Sequence, residues 1–122
     1  MPDDPKALGN FGEAAAVSFL QTSGFKILET NYRTKPAEID IIAKDHGVLC
    51  FIEVKTRRSS AKGLPREAVT GPKQKKIIMG ASIYLQKTKQ LNSRVRFDVV
   101  EVLEKNGRLD IQLIKNAFQT HG

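Results

Sequence analysis

The most constraining feature of this 122-residue chain is a hairpin pattern in residues 38–57, EIDIIAKDHGVLCFIEVKTR. Two runs rich in β-branched residues flank the turn signal Asp45-His46-Gly47. Such runs around a glycine-containing turn are typical of two antiparallel strands. Charged residues nevertheless interrupt the apolar pattern at Glu38, Asp40, Glu53 and Lys55.

The alternation of side chains predicts how the two strands pair. A two-residue turn at His46-Gly47, or a four-residue loop centred on the same bond, sets Asp40 opposite Glu53. A three-residue loop would set Asp40 against an apolar residue and mix the two faces, so the first register is favoured. That register pairs Lys44 with Leu49 and Glu38 with its expected ion-pair partner Lys55. Alternation then places Glu38, Asp40 and Ile42 on one face, and Ile39, Ile41 and Ala43 on the other.

Asp40 and Glu53 are therefore two carboxylates facing each other, with Cβ atoms roughly 5 Å apart. Like charges so placed repel each other, and the repulsion grows in apolar surroundings. Three arrangements relieve it: one acid is protonated, a cation lies between the acids, or Lys44 and Lys55 neutralise them. The second arrangement fits Mg²⁺ or Mn²⁺, which prefer oxygen ligands, with Lys55 beside a metal-bound water. The alternative is an ion cluster on the solvent side of an edge hairpin.

The remaining sequence predicts a single α/β domain over residues 1–122, with its core at about 8–114. Residues 8–22 have apolar side chains at helical spacing, and Gly71-Pro72 opens a second helix that reaches about residue 88. The expected order is α-β-β-β-α-β-β, which indicates a mixed central β-sheet flanked by helices. The predicted strands are 25–32, 37–44, 48–56, 96–104 and 108–114.

The charge of the chain predicts a polyanionic partner. Twenty Lys and Arg residues against thirteen acids give a net charge of +7, which favours binding to nucleic acid; a merely soluble basic protein is the alternative. Only 7% of the residues are aromatic and none is Trp, so backbone contact is favoured over base stacking. The basic segment after the hairpin is predicted to bind phosphates through its positive charge, and the alternative is a solvated loop. Its basic residues are Arg57, Arg58, Lys62, Arg66, Lys73, Lys75 and Lys76.

Cysteine usage and apolar run lengths indicate the compartment. The single cysteine, Cys50, cannot form an internal disulfide and is typical of a reducing environment. The N-terminal residues lack the basic-then-apolar pattern of a signal peptide. No apolar run approaches the roughly 20 residues that span a bilayer. We therefore expect a cytoplasmic protein without a membrane partner.

Six short motifs run in order through most of the chain: Gly12-Glu13, Asn31-Tyr32-Arg33, Glu38-Ile39-Asp40, FIEVKTR at 51–57, Lys73-Gln74 and Arg96-Phe97-Asp98. Together they resemble the YraN-type family of small bacterial proteins, which is distantly similar to archaeal Holliday-junction resolvases. Asp40 with Glu53-Val54-Lys55 matches the D…(D/E)xK core of the PD-(D/E)xK nuclease superfamily. The resemblance covers about residues 9–103. It departs from the family at Pro36-Ala37, where a Gly usually precedes the Glu-Ile-Asp motif.

The resemblance implies a restriction-endonuclease-like fold and a metal-dependent endonuclease that hydrolyses DNA phosphodiesters in branched or structured DNA. It implies that Asp40, Glu53 and the Val54 carbonyl hold Mg²⁺ or Mn²⁺, with Glu13 acting through a bridging water. Lys55 would position the attacking water. Because resolvase-like proteins act as dimers, a homodimer is a further expectation. Two alternatives are an RNA substrate and a nucleic-acid-binding module on a nuclease fold without turnover.

Glu13 and Gln74 are predicted to support this site, and each has a structural alternative. Glu13 lies at the edge of the apolar arc of the first helix, but Asn10 and Glu13 also match a capping box, and an acid in a first turn suits the helix dipole. Gln74 points with the apolar side chains of the second helix, and an unpaired buried amide costs about 1–3 kcal/mol. The acid-lined site is its expected partner, and the alternative is that it caps loop carbonyls. No site role is predicted for His46, Asp98 or His121.

Overall fold

The computed structural model describes residues 4–58 and 69–119, and within them the elements follow the predicted order. Two helices and five strands alternate as α-β-β-β-α-β-β, so the predicted α/β class is confirmed. The elements are α1 (Pro5–Thr22), β1 (Lys26–Arg33), β2 (Glu38–Asp45), β3 (Val48–Arg58), α2 (Gly71–Lys87), β4 (Val95–Lys105) and β5 (Arg108–Phe118).

The five strands form one mixed sheet in the order β1-β2-β3-β4-β5. Neighbouring strands are antiparallel except β3 and β4, which run parallel. Parallel neighbours need a long crossover connection, and here that connection contains α2. Between its third and fourth strands the chain therefore runs back over one face of the sheet, the face that α2 covers.

The two helices cover opposite faces of the sheet, and each face has its own apolar core. On the α1 face, Ala16 and Leu20 are fully buried against sheet residues. On the α2 face, Ile77 and Ala81 do the same. The sheet contributes Ile41, Ala43, Cys50, Ile52, Val100 and Val102 to the first core, and Ile39, Ile42, Leu49, Phe51, Phe97 and Val99 to the second.

Helix α1 begins three residues earlier than predicted, at Pro5. Asp4 is its N-cap, because the Asp4 carboxylate accepts a hydrogen bond from the Ala7 backbone N–H at 3.1 Å. The helix also lies very close to β3: a Cβ on Gly12 would collide with the Thr56 side chain. Only glycine at position 12 permits this approach, which brings the next residue, Glu13, to the sheet.

The hairpin register is confirmed, but strict alternation along β2 is wrong at Asp40. Lys44 pairs with Leu49, and the pairing of β2 with β3 runs as far as Ile41 and Ile52. Ile39 and Ile41 should share a face, yet Ile39 packs in the α2 core and Ile41 in the α1 core. The break coincides with the end of the β2–β3 pairing, so Asp40 lies where the two strands separate.

The connection between β1 and β2 is a turn over Thr34–Ala37. The Thr34 hydroxyl donates to the Ala37 carbonyl at 3.0 Å, and the Ala37 N–H donates back to the Thr34 hydroxyl oxygen at 3.2 Å. The Thr34 N–H donates to the same carbonyl at 2.8 Å. The Pro36-Ala37 pair, where this chain departs from the family pattern, is therefore part of a hydrogen-bonded turn that needs no glycine.

A buried ion cluster fixes the end of the sheet beside the His46-Gly47 turn. Asp98 is completely buried; its carboxylate accepts from the Arg96 guanidinium at 2.8 Å and from the Asn116 backbone N–H at 2.9 Å. The same guanidinium reaches Asp45 at 2.9 Å. These contacts link Asp98, interpreted from the sequence as a structural residue, to strands β2 and β5. Asn116, with φ of 56°, also lets β5 run four residues beyond its predicted end at 114, because Asn tolerates the left-handed region within an irregular strand.

Candidate active site

Asp40 and Glu53 form a carboxyl pair at the point where β2 leaves β3. Their carboxyl groups lie close enough for each to shift the pKa of the other. Asp40 Oδ2 also accepts from the Val54 backbone N–H at 2.8 Å. The structure thus brings together the two acids that the hairpin register predicts to face each other, and it ties one of them to the backbone of β3.

The surroundings of the pair raise the pKa of both acids. Burial, the charge of Asp40 and the hydrogen bond to Asp40 raise the pKa of Glu53 to about 7. Burial also raises the pKa of Asp40, although the Val54 N–H and Glu53 oppose that rise. No donor among residues 4–58 and 69–119 reaches the buried Glu53 Oε2. A proton shared with Asp40, a bound cation or a water molecule can satisfy this oxygen.

Two lysines approach the pair from different elements. Lys73, in the first turn of α2, has its Nζ 3.8 Å from Glu53 Oε1. Lys55, half-buried two residues after Glu53, also lowers the pKa of that acid, with a smaller effect than Lys73. Lys73 was predicted to bind phosphates as part of the basic segment that follows Lys55. The structure also brings it within 3.8 Å of the acid pair, because the crossover places the start of α2 near Glu53 in the middle of β3.

Glu13 faces Asp40 from the α1 side of the sheet. It lies in the middle of α1, so the capping-box and helix-dipole alternatives are wrong: the helix begins at Pro5 and Asp4 caps it. Burial raises the pKa of Glu13, and the charges of Asp40 and Glu38 raise it further. Glu13 and Asp40 line one cavity of about 280 Å³ between α1 and the first two strands.

Asn31 belongs to the same cavity, and the sequence reasoning gave it no role. With its amide oriented to suit its neighbours, the Asn31 amide nitrogen donates to Glu13 Oε1 at 2.6 Å and to Glu38 Oε1 at 3.0 Å. Its φ of 52° lies in the left-handed region. An Asn within an otherwise β-forming run was the available signal, because Asn is depleted in strands and tolerates this conformation.

Glu38 does not have the partner predicted for it. Its carboxylate pairs with the Arg33 guanidinium at 3.4 Å across the β1–β2 hairpin, where Arg33 and Glu38 are register partners. The predicted partner was Lys55 on β3. The pairing of β2 with β3 runs only as far as Ile41, so Glu38 has moved away from β3 and toward β1.

The side-chain amide nitrogen of Gln74 forms a hydrogen bond to the backbone. Its Nε2 donates to the Val69 carbonyl at 2.7 Å, just before α2 begins. This contact is the one expected from the alternative role of Gln74, in which its amide caps a loop carbonyl. A role for its amide in steadying the acid site stays a prediction.

The remaining basic residues of the predicted phosphate-binding segment lie on two elements and in a part of the chain that the structure does not describe. Arg57 and Arg58 close β3, beyond Lys55, and Lys76 is exposed on α2. Lys62 and Arg66 lie outside the described residues. Besides Lys73, four residues of the predicted phosphate-binding segment therefore lie on described elements: Arg57 and Arg58 on β3, and Lys75 and Lys76 on α2.

The donor set fits a hard divalent cation with partly water-filled coordination. Residues 4–58 and 69–119 contain no group of three or more His, Cys, Asp or Glu side chains arranged to hold a metal. Asp40 and Glu53 therefore supply two carboxylates, and Glu13 stands farther off across the cavity. The Val54 N–H already points to Asp40, and a strand residue directs its N–H and C=O toward the same neighbour, so the Val54 carbonyl faces the pair as well. Mg²⁺ accepts one or two carboxylates and keeps several waters.

In the described part of the chain, no helix has the length and apolarity needed to cross a bilayer.

The chain is thus an α/β protein with a mixed five-stranded sheet and an acid pair, buried Glu53 and half-buried Asp40, at the point where two strands separate. The chain belongs to the uncharacterised protein family UPF0102, whose model matches residues 12–102. It is 51% identical to a UPF0102 protein of Desulforapulum autotrophicum, over 98% of this chain and 99% of the relative. It is 50% identical to a UPF0102 protein of Caldicellulosiruptor saccharolyticus, over 93% and 98% respectively. The predicted YraN-type membership is confirmed.

Among solved structures, the chain is similar to the crystal structure of SSO0001, with 22% identity and a TM-score of 0.38. The match covers 94% of this chain and about half, 54%, of the other. A similarity at this level carries no argument about the fold. The restriction-endonuclease-like architecture therefore stays a prediction.

Proposed function

We propose that this protein is a Mg²⁺- or Mn²⁺-dependent endonuclease that hydrolyses DNA phosphodiesters at the Asp40–Glu53 pair. The observation that carries the proposal is the buried Glu53 Oε2, which has no donor among the described residues and faces a second carboxyl group. A structural ion cluster would normally satisfy each buried oxygen. A cation between the two acids satisfies Oε2 and removes their repulsion at the same time.

Each residue of the pair and its neighbours has a definite task in this reaction. Asp40, Glu53 and the Val54 carbonyl would hold the cation, which would supply an activated water and a Lewis acid. Lys55 would orient the attacking water, and Lys73 would stabilise the negative charge that develops on the phosphate. Glu13 accepts a hydrogen bond from a water on the far side of the cavity. Gln74 braces the start of α2, which carries Lys73.

Charge supports DNA as the substrate. The net charge of +7 favours a polyanion, and Arg57, Arg58 and Lys76 extend the positive surface beyond the site. Contacts of this kind grip the backbone without reading the sequence. The proposal that the DNA is branched or structured rests only on the resemblance to resolvases.

The test is a calorimetric titration of Mn²⁺ and Mg²⁺ into chelator-stripped wild type and Asp40→Asn. Asparagine keeps an oxygen for the Val54 N–H but removes the charge. We expect metal binding in wild type and its loss in the variant. Asp110→Asn, which removes an exposed acid from β5, is the matched control and should bind as wild type does.

The same three proteins are then incubated with duplex, flapped and four-way DNA in Mn²⁺. Asp40→Asn should lower the cleavage rate by at least about a hundredfold, because even groups behind a metal ligand are typically worth 10–100-fold. DNA affinity should stay within about twofold of wild type, since phosphate contacts are made elsewhere. The absence of both metal binding and cleavage in wild type would refute the proposal.

One observation favours a second function, a nucleic-acid-binding module without turnover. Lys73 lies 3.8 Å from Glu53, and the pKa of Glu53 is about 7. A shared proton and this lysine together neutralise the pair without a metal. Wild type that binds DNA but neither binds metal nor cleaves any of the substrates supports this second function.

A further inference from the structure

Asn31 has a backbone conformation that a strand residue rarely adopts. Its φ is 52°, and it lies inside β1 between the register pairs Thr30–Ile41 and Tyr32–Ile39. The position opposite it on β2 is Asp40. Left-handed backbone costs less for Asn than for most residues, but it is still a departure from the regular strand.

The departure turns two consecutive residues of each strand toward α1. Thr30 and Asn31 both line the 280 Å³ cavity, and so do Asp40 and Ile41. In a regular strand only one residue of each consecutive pair would face that side. Asn31 and Asp40 therefore enter the cavity together, and Glu13 meets them there from α1.

The Asn31 side chain connects two acids that repel each other. With the amide oriented so that its nitrogen faces these acceptors, that nitrogen donates to Glu13 at 2.6 Å and to Glu38 at 3.0 Å. Glu38 is anchored in turn by Arg33 at 3.4 Å. Glu13 is pushed away by the charges of both Asp40 and Glu38, so a donor is needed to keep its carboxylate in the cavity.

We infer that Asn31 is a positioning residue, which holds the Glu13 carboxylate toward Asp40 and so preforms the α1 side of the metal site. The effect on metal binding rests on the proposed function, whereas the contact between Asn31 and Glu13 does not depend on it. Glycine at position 31 accepts the same φ and lacks the amide, so Asn31→Gly removes the donor without imposing backbone strain. Asn116→Gly is the matched control: Asn116 has φ of 56° in β5, away from the cavity, and its contact to Asp98 uses the backbone N–H.

The first measurement is Mn²⁺ affinity in a double-mutant cycle of Asn31→Gly and Glu13→Gln. We expect Asn31→Gly to weaken binding about tenfold, as losses behind a metal ligand do, and Asn116→Gly to leave it unchanged. If Asn31 acts through Glu13, the double variant binds no more weakly than Glu13→Gln alone. If the losses of Mn²⁺ affinity in the two single variants multiply in the double variant, the inference is wrong.

The second measurement needs no metal. In chelator-treated protein, the Asn31 side-chain amide proton should resonate downfield of free amides, and Glu13→Gln should shift it. An unchanged Asn31 resonance in Glu13→Gln would overturn the positioning role. If wild type binds no Mn²⁺, the proposed function fails, and this resonance still decides whether Asn31 holds Glu13.

Discussion

Glu53 is 7% exposed beside Asp40, and burial with the neighbouring acid raises its pKa to about 7 from an ordinary value of 4.5. In the metal-free protein, the folded pair keeps a proton that the unfolded chain releases between these pH values. The folded state thus binds more protons across that window, so the free energy of unfolding falls as pH rises from about 4.5 to 7. The proton belongs to the Asp40–Glu53 pair as a whole rather than to one oxygen.

Replacing Glu53 with Gln should remove this pH dependence. Gln imitates the protonated acid and can donate to Asp40, so Glu53→Gln should be more stable than wild type at pH 8, by at most about 3 kcal/mol. At pH 4 the two should be nearly equal. Urea unfolding in chelator at both pH values measures the difference, with Glu29→Gln, an exposed acid of β1, as the control. A Glu53→Gln curve parallel to wild type would contradict the prediction.

At the scale of elements, the approach of α1 to β3 depends on one missing side chain. A Cβ on Gly12 would collide with Thr56, whereas a Cβ on Gly9, one turn earlier, would meet nothing within 4 Å. Both glycines lie inside the same helix, where Ala is otherwise the better residue. Substitutions at Gly9 and Gly12 therefore distinguish the effect of helix propensity on stability from the effect of helix packing.

Gly12→Ala should lower the free energy of unfolding by about 1–3 kcal/mol, because overpacking forces α1 away from β3. Gly9→Ala should raise it by about 0.5–1 kcal/mol. Thermal unfolding of both variants measures the contrast. Since Glu13 follows Gly12 directly, Gly12→Ala should also weaken Mn²⁺ binding. Equal stability of the two variants would mean that Thr56 yields without cost.

The order and type of the elements could be predicted from the sequence, because periodicity and turn residues are local signals. The hairpin register was equally local, and with it came the contact between Asp40 and Glu53. The break of alternation at Asp40 was not predictable, since it depends on Asn31 across a strand pair. Nor was the contact of Lys73 with Glu53, which the α2 crossover creates. The start of α1 was missed because Asp4 and Pro5, a cap and a first-turn residue, precede the apolar periodicity.

For the whole molecule, the two ends of β2 respond to pH in opposite directions. Beside the hairpin turn, hydrogen bonds from His46, Arg96 and Lys115 lower the pKa of Asp45 to about 2, with that from His46 the largest. This group stabilises the fold above its unfolded pKa near 3.8, and its contribution is lost as pH falls toward 2. The acid pair at the other end destabilises the metal-free fold as pH rises. The two effects together favour mildly acidic solution for the metal-free protein.

Asp45→Asn should therefore cost stability at neutral pH but much less in acid. We expect a deficit of about 2 kcal/mol at pH 7 that shrinks toward pH 2.5. Thermal unfolding at the two pH values measures it, and Asp110→Asn again serves as the control. A deficit of constant size would show that the ion cluster acts through packing rather than charge.

The parallel pairing of β3 with β4 has a consequence for the order in which the chain folds. Both acids belong to one hairpin of close neighbours, and hairpins form within about 1–10 μs. The parallel pair must wait for the long crossover through α2 to close, which is slow because its contacts are distant in sequence. We therefore expect the two carboxylates to meet first in a solvated hairpin, where water screens their repulsion. They become buried only when the two helices dock on the sheet, α1 beside Asp40 and α2 beside Glu53.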